Sequence, residues 1–317
     1  MARLSSVSID IDSIDCYYRI HGLGEAPPEL RTVIAERCLP RFAELFAELE
    51  IDATFFVVAE DVDTDADPSA HASRVLVAEL ASAGHEIGSH SYSHPYELAR
   101  LGDERADSEI GRAHQVLADV TGESPRGFRA PGYDLSPAMQ RALLARGYRY
   151  DSSIFPSPPY YLAKAAVMTM MAILGKQSGA VMTNPKALTA PAEPYRPAVG
   201  APWRRGDAPM LELPIAVTPW ARIPAIGTSL LLAPRWLRSR WLRQMRTRRH
   251  FNFELHAIDL ADAEIDGIPG ALVARQPDLR VPLARKRVAL AETLRAIRDE
   301  FEMCTLRDAA AELAAAV

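Results

Sequence analysis

Cysteine is scarce. The chain holds three in 317 residues, Cys16, Cys38 and Cys304, far apart and without the paired spacing of a thiolate metal site. That argues against a disulfide framework and for a reducing compartment. Long apolar runs are missing as well. The longest, Ala165 to Leu174, falls well short of the ~20 residues that span a bilayer. The first residues lead straight into a strand pattern with no apolar h-region, so no secretory leader is expected. Excess charge is small, −5 overall, which leaves no electrostatic footprint for nucleic acid. No internal repeat is visible. These absences bound the chain as a cytoplasmic protein, at most peripheral to the inner face of a membrane. Its 48% hydrophobic content is enough for a sizeable core.

What is present is a rhythm. Val7-Ser8-Ile9-Asp10-Ile11-Asp12 alternates as a strand and ends in carboxylates, with Asp15 close behind. Arg31 to Leu49 reads as a helix, then Ala53 to Val58 as a buried strand, Ala72 to Ala83 as a helix stopped by Gly84, and Glu86-Ile87-Gly88 as a strand. The pattern continues through a helix at Arg105–Thr121, a strand from Gly127, a Pro-started helix after Ser136, a strand at Tyr148–Ser153 and another at Met210–Ile215. Phe251 to Asp259 is a strand, Val281 to Phe301 a long helix, and Met303–Leu306 a last short strand. Strand–helix units recurring about every 40 residues, with polar residues at strand ends, predict a parallel α/β architecture.

The chemistry centres on Gly84 to Pro95. His90 and His94 stand four apart, so one helical turn would face both rings to one divalent metal. With 8 histidines in the chain, that spacing alone is weak. Its context is stronger, because the pair follows a short strand, and α/β folds carry their sites at the carboxyl ends of strands. Collecting the strand-end polar groups gives Asp10, Asp12, His90, His94, Arg129, Asp151 and His256. Asp12, His90 and His94 would bind one metal with a position left open for water. Asp10 would take a proton from that water, and His256, on the opposite rim, would protonate a leaving amine. Arg129 would hold Asp10, and Asp151 would hold His256. A backbone N–H in the Pro131-Gly132-Tyr133 turn would meet the oxyanion. His85 reads as a packing residue, and His21, His71, His114 and His250 as exposed ones.

In order along the chain, these pieces resemble the polysaccharide deacetylases: the NodB-homology domain of carbohydrate esterase family 4. The resemblance rests on the Asp10/Asp12 strand, Ala-Thr-Phe-Phe-Val-Val at 53–58, Gly-His-Glu-Ile-Gly-Ser-His at 84–90 with His94, Arg-Ala-Pro-Gly-Tyr at 129–133, Tyr-Asp-Ser-Ser at 150–153 and Leu-His at 255–256. It implies one domain over 1–317, a distorted (β/α) barrel of about seven parallel strands. It further implies a metal-dependent N-deacylase with base Asp10, ligands Asp12, His90 and His94, and acid His256, zinc being the first candidate ion and other divalent transition metals the second. Where the family has adjacent aspartates, Ile11 separates Asp10 from Asp12, so the swapped assignment and a role for Asp15 stay open. Gly132 stands where many members carry an aromatic. The fourth motif lacks its usual tryptophan, which argues against a chitin-like polymer.

Two segments fall outside the rhythm. Residues 156–206 are rich in proline and hold an Ala/Met-rich helix, Tyr161 to Leu174; they read as an insertion, either a packing hairpin or a hood over the site. Residues 234–250 carry seven arginines on an amphipathic pattern: a barrel helix with a solvated basic face, or a contact for an anionic membrane or a substrate phosphate. The expected function is removal of an acyl group from an amino sugar or small conjugate. The rivals are deformylation or deacetylation of a lipid-linked sugar, hydrolysis of a cyclic amide or ureide, and a barrel that binds sugar without turning it over.

Overall fold

The computed structural model describes residues 3–173, 175, 179 and 181–315. Eight parallel strands make its main sheet: β1 (Leu4–Ile11), β2 (Thr54–Val57), β3 (Glu86–Ser89), β4 (Gly127–Phe128), β5 (Tyr150–Asp151), β6 (Leu211–Glu212), β7 (His250–His256) and β8 (Glu302–Met303). Each neighbour along β1-β2-β3-β4-β5-β6 pairs in parallel, and β7 pairs with the other edge of β1. Short β8 tucks beside the first residues of β1. The sheet thus curls into the expected distorted barrel. Its seam, between the β6 chain and β7, is bridged by Ala216 N–H to Asn252 O and by the Asn252 amide to Leu213 O.

The period of two along a strand decides what faces inward. In β1, Val7, Ile9 and Ile11 point out into the large apolar core beneath the helices. Ser8 and Asp10 point in, where Ser8 bonds Asn252 and both bond Arg129. In β7, Phe251, Phe253 and Leu255 join the outer core, leaving Asn252, Glu254 and His256 inside. The amino end of the barrel is plugged by Leu4, Phe56, Tyr150, Leu211, Leu213 and Leu306. Buried Glu86 stitches that plug together, accepting from Thr54 Oγ1 (2.8 Å), Tyr150 OH (2.8 Å) and Arg307 N (2.8 Å). The carboxyl end stays polar.

Around the sheet lie the helices Leu39–Leu49, His71–Ser82, Gly102–Thr121, Pro137–Ala145, Arg235–Met245 and Leu283–Arg298. Gly122, at φ 76°, ends the longest of them in the left-handed conformation that a residue without Cβ adopts cheaply. The helix expected from Arg31 begins instead with a π-turn at Ile34–Cys38. His250, read as exposed, is buried: it opens β7, bonds Ser6 Oγ at 3.0 Å, and burial pushes its pKa down to about 3. His85 packs edge-on against Phe46 and Phe55.

Residues 156–206 do not behave as one unit. The helix Pro158–Ile173 stands at the carboxyl end, its root Tyr160 against Tyr133 and Phe155; Leu174, the expected last residue of that helix, lies outside the described residues. Thr183 reaches Gly132 O, and Gly179 N–H reaches Arg19 O. The hairpin Pro197–Ala198/Ala201–Arg205 packs elsewhere, bonding Gln140 through Ala198 and Gly200.

Gly127 is where the barrel tolerates no side chain. A Cβ there would fall onto the ring of Tyr150. Gly127→Ala should therefore overpack the plug and cost about 1–3 kcal/mol, read as a lower urea midpoint at unchanged slope.

Candidate metal and acid–base site

The first expectation to fall is the helical turn. His90 follows β3 directly, and residues 90–94 form a loop, with Ser91 at φ 68° and His94 at φ 53°. Two left-handed residues outside glycine are costly, so something must hold them. Ser91 Oγ accepts from His94 N at 3.1 Å. Tyr92 OH donates to Asp63, which Arg112 also bonds, and Ser93 donates twice to buried Glu109 at 2.9 Å. The backbone of 59–60 then bonds Ser91 O and Tyr92 O. The loop is clamped from outside, and the two rings converge without helical geometry.

Their convergence point is Asp12. Its Oδ1 lies 3.2 Å from His90 Nε2 and 3.1 Å from His94 Nε2, all three side chains buried. Yet neither ring makes an aligned hydrogen bond to that oxygen, which has no hydrogen-bond partner. A buried carboxylate oxygen left without a donor is expensive. Two imidazole nitrogens and one such oxygen facing a common point are instead the donor set of a divalent cation. The residues fit a metal. The far nitrogens are anchored too: His90 Nδ1 lies 2.7 Å from Arg129 O, and His94 Nδ1 lies 3.6 Å from Cys16 Sγ, which Arg19 also bonds. Such outer contacts fix tautomer and ring orientation. Burial opposes ionisation of Asp12, but the two facing imidazoles outweigh it and hold the carboxyl well below the usual range.

Beside this group sits a second. Asp10, Glu254 and His256 bring one polar atom each within 4.8 Å of one another. Asp10 and His256 are register partners on adjacent strands, so His256 is next to Asp10 and not on an opposite rim. Arg129 is fully buried between strands. It gives NH1 to Asp10 Oδ1 at 2.6 Å, NH2 to Ser8 Oγ and Ser152 Oγ, and Nε to Ser152 O.

Asp151 does not hold His256. Tyr150 and Ser152 face the barrel interior, so Asp151 between them must face out. There it bonds Ser153 and shares its buried surroundings with Glu212. The partner of His256 is Glu254, two residues back on the same strand and so on the same face. Glu254 Oε1 lies 3.2 Å from His256 Nδ1 and accepts from Tyr133 OH at 2.7 Å; that hydroxyl also lies 3.0 Å from His256 Nε2. Parity along Asn252-Phe253-Glu254-Leu255-His256 was the signal that could have found it. Burial works against a charged His256, but Glu254, Asp10, Asp12 and Asp259 prevail and lift its pKa to about 9. In the Pro131–Tyr133 turn, Gly132 sits at φ 67°, and the Tyr133 N–H is taken up by Ala130 O at 3.1 Å. Tyr133 therefore faces the site with its hydroxyl.

Residues 32–150 match the sequence model of the polysaccharide deacetylase family. A peptidoglycan deacetylase of Helicobacter pylori is 28% identical over 163 residues, which cover 50% of this chain and 53% of that protein. A peptidoglycan-N-acetylglucosamine deacetylase of Bacillus cereus is 27% identical over 92 residues, 29% of this chain and 30% of that one. The chain thus spans about half the length of the first relative and less of the second. Among solved structures, a candidate polysaccharide deacetylase from Mycobacterium smegmatis superposes with a TM-score of 0.60 at 17% identity, covering 99% of this chain and 91% of that one. The PuuE allantoinase gives 0.59 at 15%, with the same coverage. At such identities these two likenesses speak for the fold.

The raised pKa of His256 has a testable origin. Glu254→Gln should bring it down from about 9 toward the ordinary 6.5, while Asp151→Asn leaves it in place, as followed by NMR titration of the imidazole. Because the folded value is the higher one, the stability this pair contributes is complete below pH ~6.5 and fades as pH rises through about 9.

Proposed function

We infer that this chain, whose residues 32–150 match the polysaccharide deacetylase model, is a metal-dependent hydrolase that removes an acyl group from the nitrogen of an amino sugar. One observation carries the reading: Asp12 Oδ1, without a hydrogen-bond donor, faces His90 Nε2 and His94 Nε2 at 3.2 and 3.1 Å. Two imidazoles and a carboxylate suit zinc first and other divalent transition metals second. When bound, such an ion supplies Lewis acidity, polarising the acyl carbonyl and an attacking water.

The chain's own groups do the rest. Asp10, pinned through Oδ1 by Arg129, keeps its other oxygen for the proton of the attacking water. Arg129 keeps that carboxylate in one rotamer and places a positive charge beside it in the buried site. His256, protonated at neutral pH by the surrounding carboxylates, delivers a proton to the departing amine. Glu254 and the Tyr133 hydroxyl orient its ring. Since Asp10 and His256 lie within 4.8 Å of each other, the proton gathered at one is close to the group that must be recharged after each turnover.

Acetate release from a panel of mono- and oligomeric N-acetylated amino sugars, alongside metal analysis, tests the reading. Asp10→Asn should keep its metal and lose about 10²–10⁴-fold in kcat, the usual worth of a general base. His94→Ala should lose both metal and activity. Full turnover by Asp10→Asn would remove Asp10 as the base, and a wild-type protein that binds no divalent metal would end the proposal.

A further inference from the structure

The helix Pro158–Ile173 contradicts the ordinary economy of a water-soluble fold. Of its sixteen residues only Tyr161 is buried. Leu162 is 72% exposed and Ile173 80%, with Val167 and Met170 also in the open, and Lys164 is its single charged residue. A surface helix of a globular protein shows one apolar stripe toward the core and a polar face to water; this one has no polar face. Beside its root stands a second anomaly. Ser157 Oγ donates to Arg222 O at 2.7 Å, and the same turn carries Trp220, 93% exposed. Charge marks the same part of the chain. Residues 156–233 hold 7 Lys and Arg against 3 Asp and Glu, a net of +4 in a protein whose total is −5.

We propose that the helix Pro158–Ile173, with Trp220 at its base, inserts into the surface layer of an anionic lipid bilayer. Lipid is favoured over a partner protein because a protein groove covers one stripe of a helix, whereas this helix is apolar on several sides. At sixteen residues it is ~24 Å long, short of the ~30 Å hydrocarbon core, so it enters one leaflet without crossing. No described helix is long and apolar enough to cross. Tryptophan is a residue of the membrane–water boundary, and the basic excess supplies attraction to acidic headgroups. The arginine-rich stretch 234–250 is the weaker anchor. Arg235 and Arg238 pair with Glu292, Arg246 with Glu300 and Arg248 with Glu193, and Trp241 and Leu242 pack against the core. The proposal goes beyond the hydrolytic reading and does not depend on it. Its consequence for that site is orientation: the helix rises from the polar end of the barrel, so docking would turn the site toward acylated amines held at a membrane surface.

The test is co-flotation of the full chain with vesicles of phosphatidylcholine alone and with about one-third phosphatidylglycerol, at low and high salt. Binding to the anionic vesicles is expected, at least tenfold weaker at high salt or on the neutral vesicles. Leu162→Glu/Met170→Glu should lose it by a similar factor while keeping its circular dichroism, its sedimentation and its activity on a soluble substrate. Trp220 fluorescence should shift to the blue on the vesicles and be quenched by brominated lipid, the signal being assigned with Trp220→Phe. Absence of flotation at low salt, or flotation unaltered in the double variant, would overturn the proposal. So would self-association of the wild type that the double variant abolishes without any vesicle binding, since the helix would then serve a second copy of the chain.

Discussion

Everything at the polar end of the barrel is referred to one buried guanidinium. Arg129 holds Asp10 with its side chain and takes His90 Nδ1 with its own carbonyl oxygen. The proposed base and one proposed metal ligand are therefore set by opposite ends of the same residue. Burying that charge without compensation would be prohibitive. Here the guanidinium donates four hydrogen bonds, to Asp10, Ser8 and Ser152, and lies over the Phe56 ring at 4.3 Å. Ser8 of β1 and Ser152 after β5 receive that guanidinium, and the Asn252 amide that bridges the seam bonds Ser152 as well. Barrel closure and site geometry share one hydrogen-bond network.

The alternation of Val7, Ile9 and Ile11, and the recurrence of strand and helix, made the parallel barrel legible in the sequence. So did the polar groups at strand ends, because parallel strands deliver their last residues to one edge. What was not legible follows from local geometry. The His90–His94 spacing suggested a helical turn, yet the loop depends on Asp63, Glu109 and Arg112, remote residues that no local pattern ties to it. A strand-end position suggests Asp151 as the partner of His256, but parity decides otherwise: Tyr150 and Ser152 claim the interior, and Asp151 turns away. The parity of Glu254 with His256 is the signal in the sequence for that partnership. The burial of His250 follows from the same rule, since it lies inward of Phe251.

The insertion shows how one stretch can divide its labour. Its hairpin braces Gln140, while its helix is rooted through Tyr160 on Tyr133 and Phe155 and through buried Tyr161 on Phe155. Tyr133 thus connects the helix to the proton-handling pair, its hydroxyl on Glu254 and His256 and its ring against Tyr160 and Phe155. A shift of the helix has a direct mechanical route to the ring of His256.

β1 is hydrogen-bonded along both edges, to β7 from Leu4 to Asp10 and to β8 and β2 in turn on the other side. Strands held twice belong to the last cooperative unit to open, and their amides exchange slowest with solvent. Both aspartates issue from this strand, whereas His94 hangs from a clamped loop. The two sides of the proposed metal cradle therefore differ in how readily they open: a local fluctuation would reach His94 before it reached Asp12.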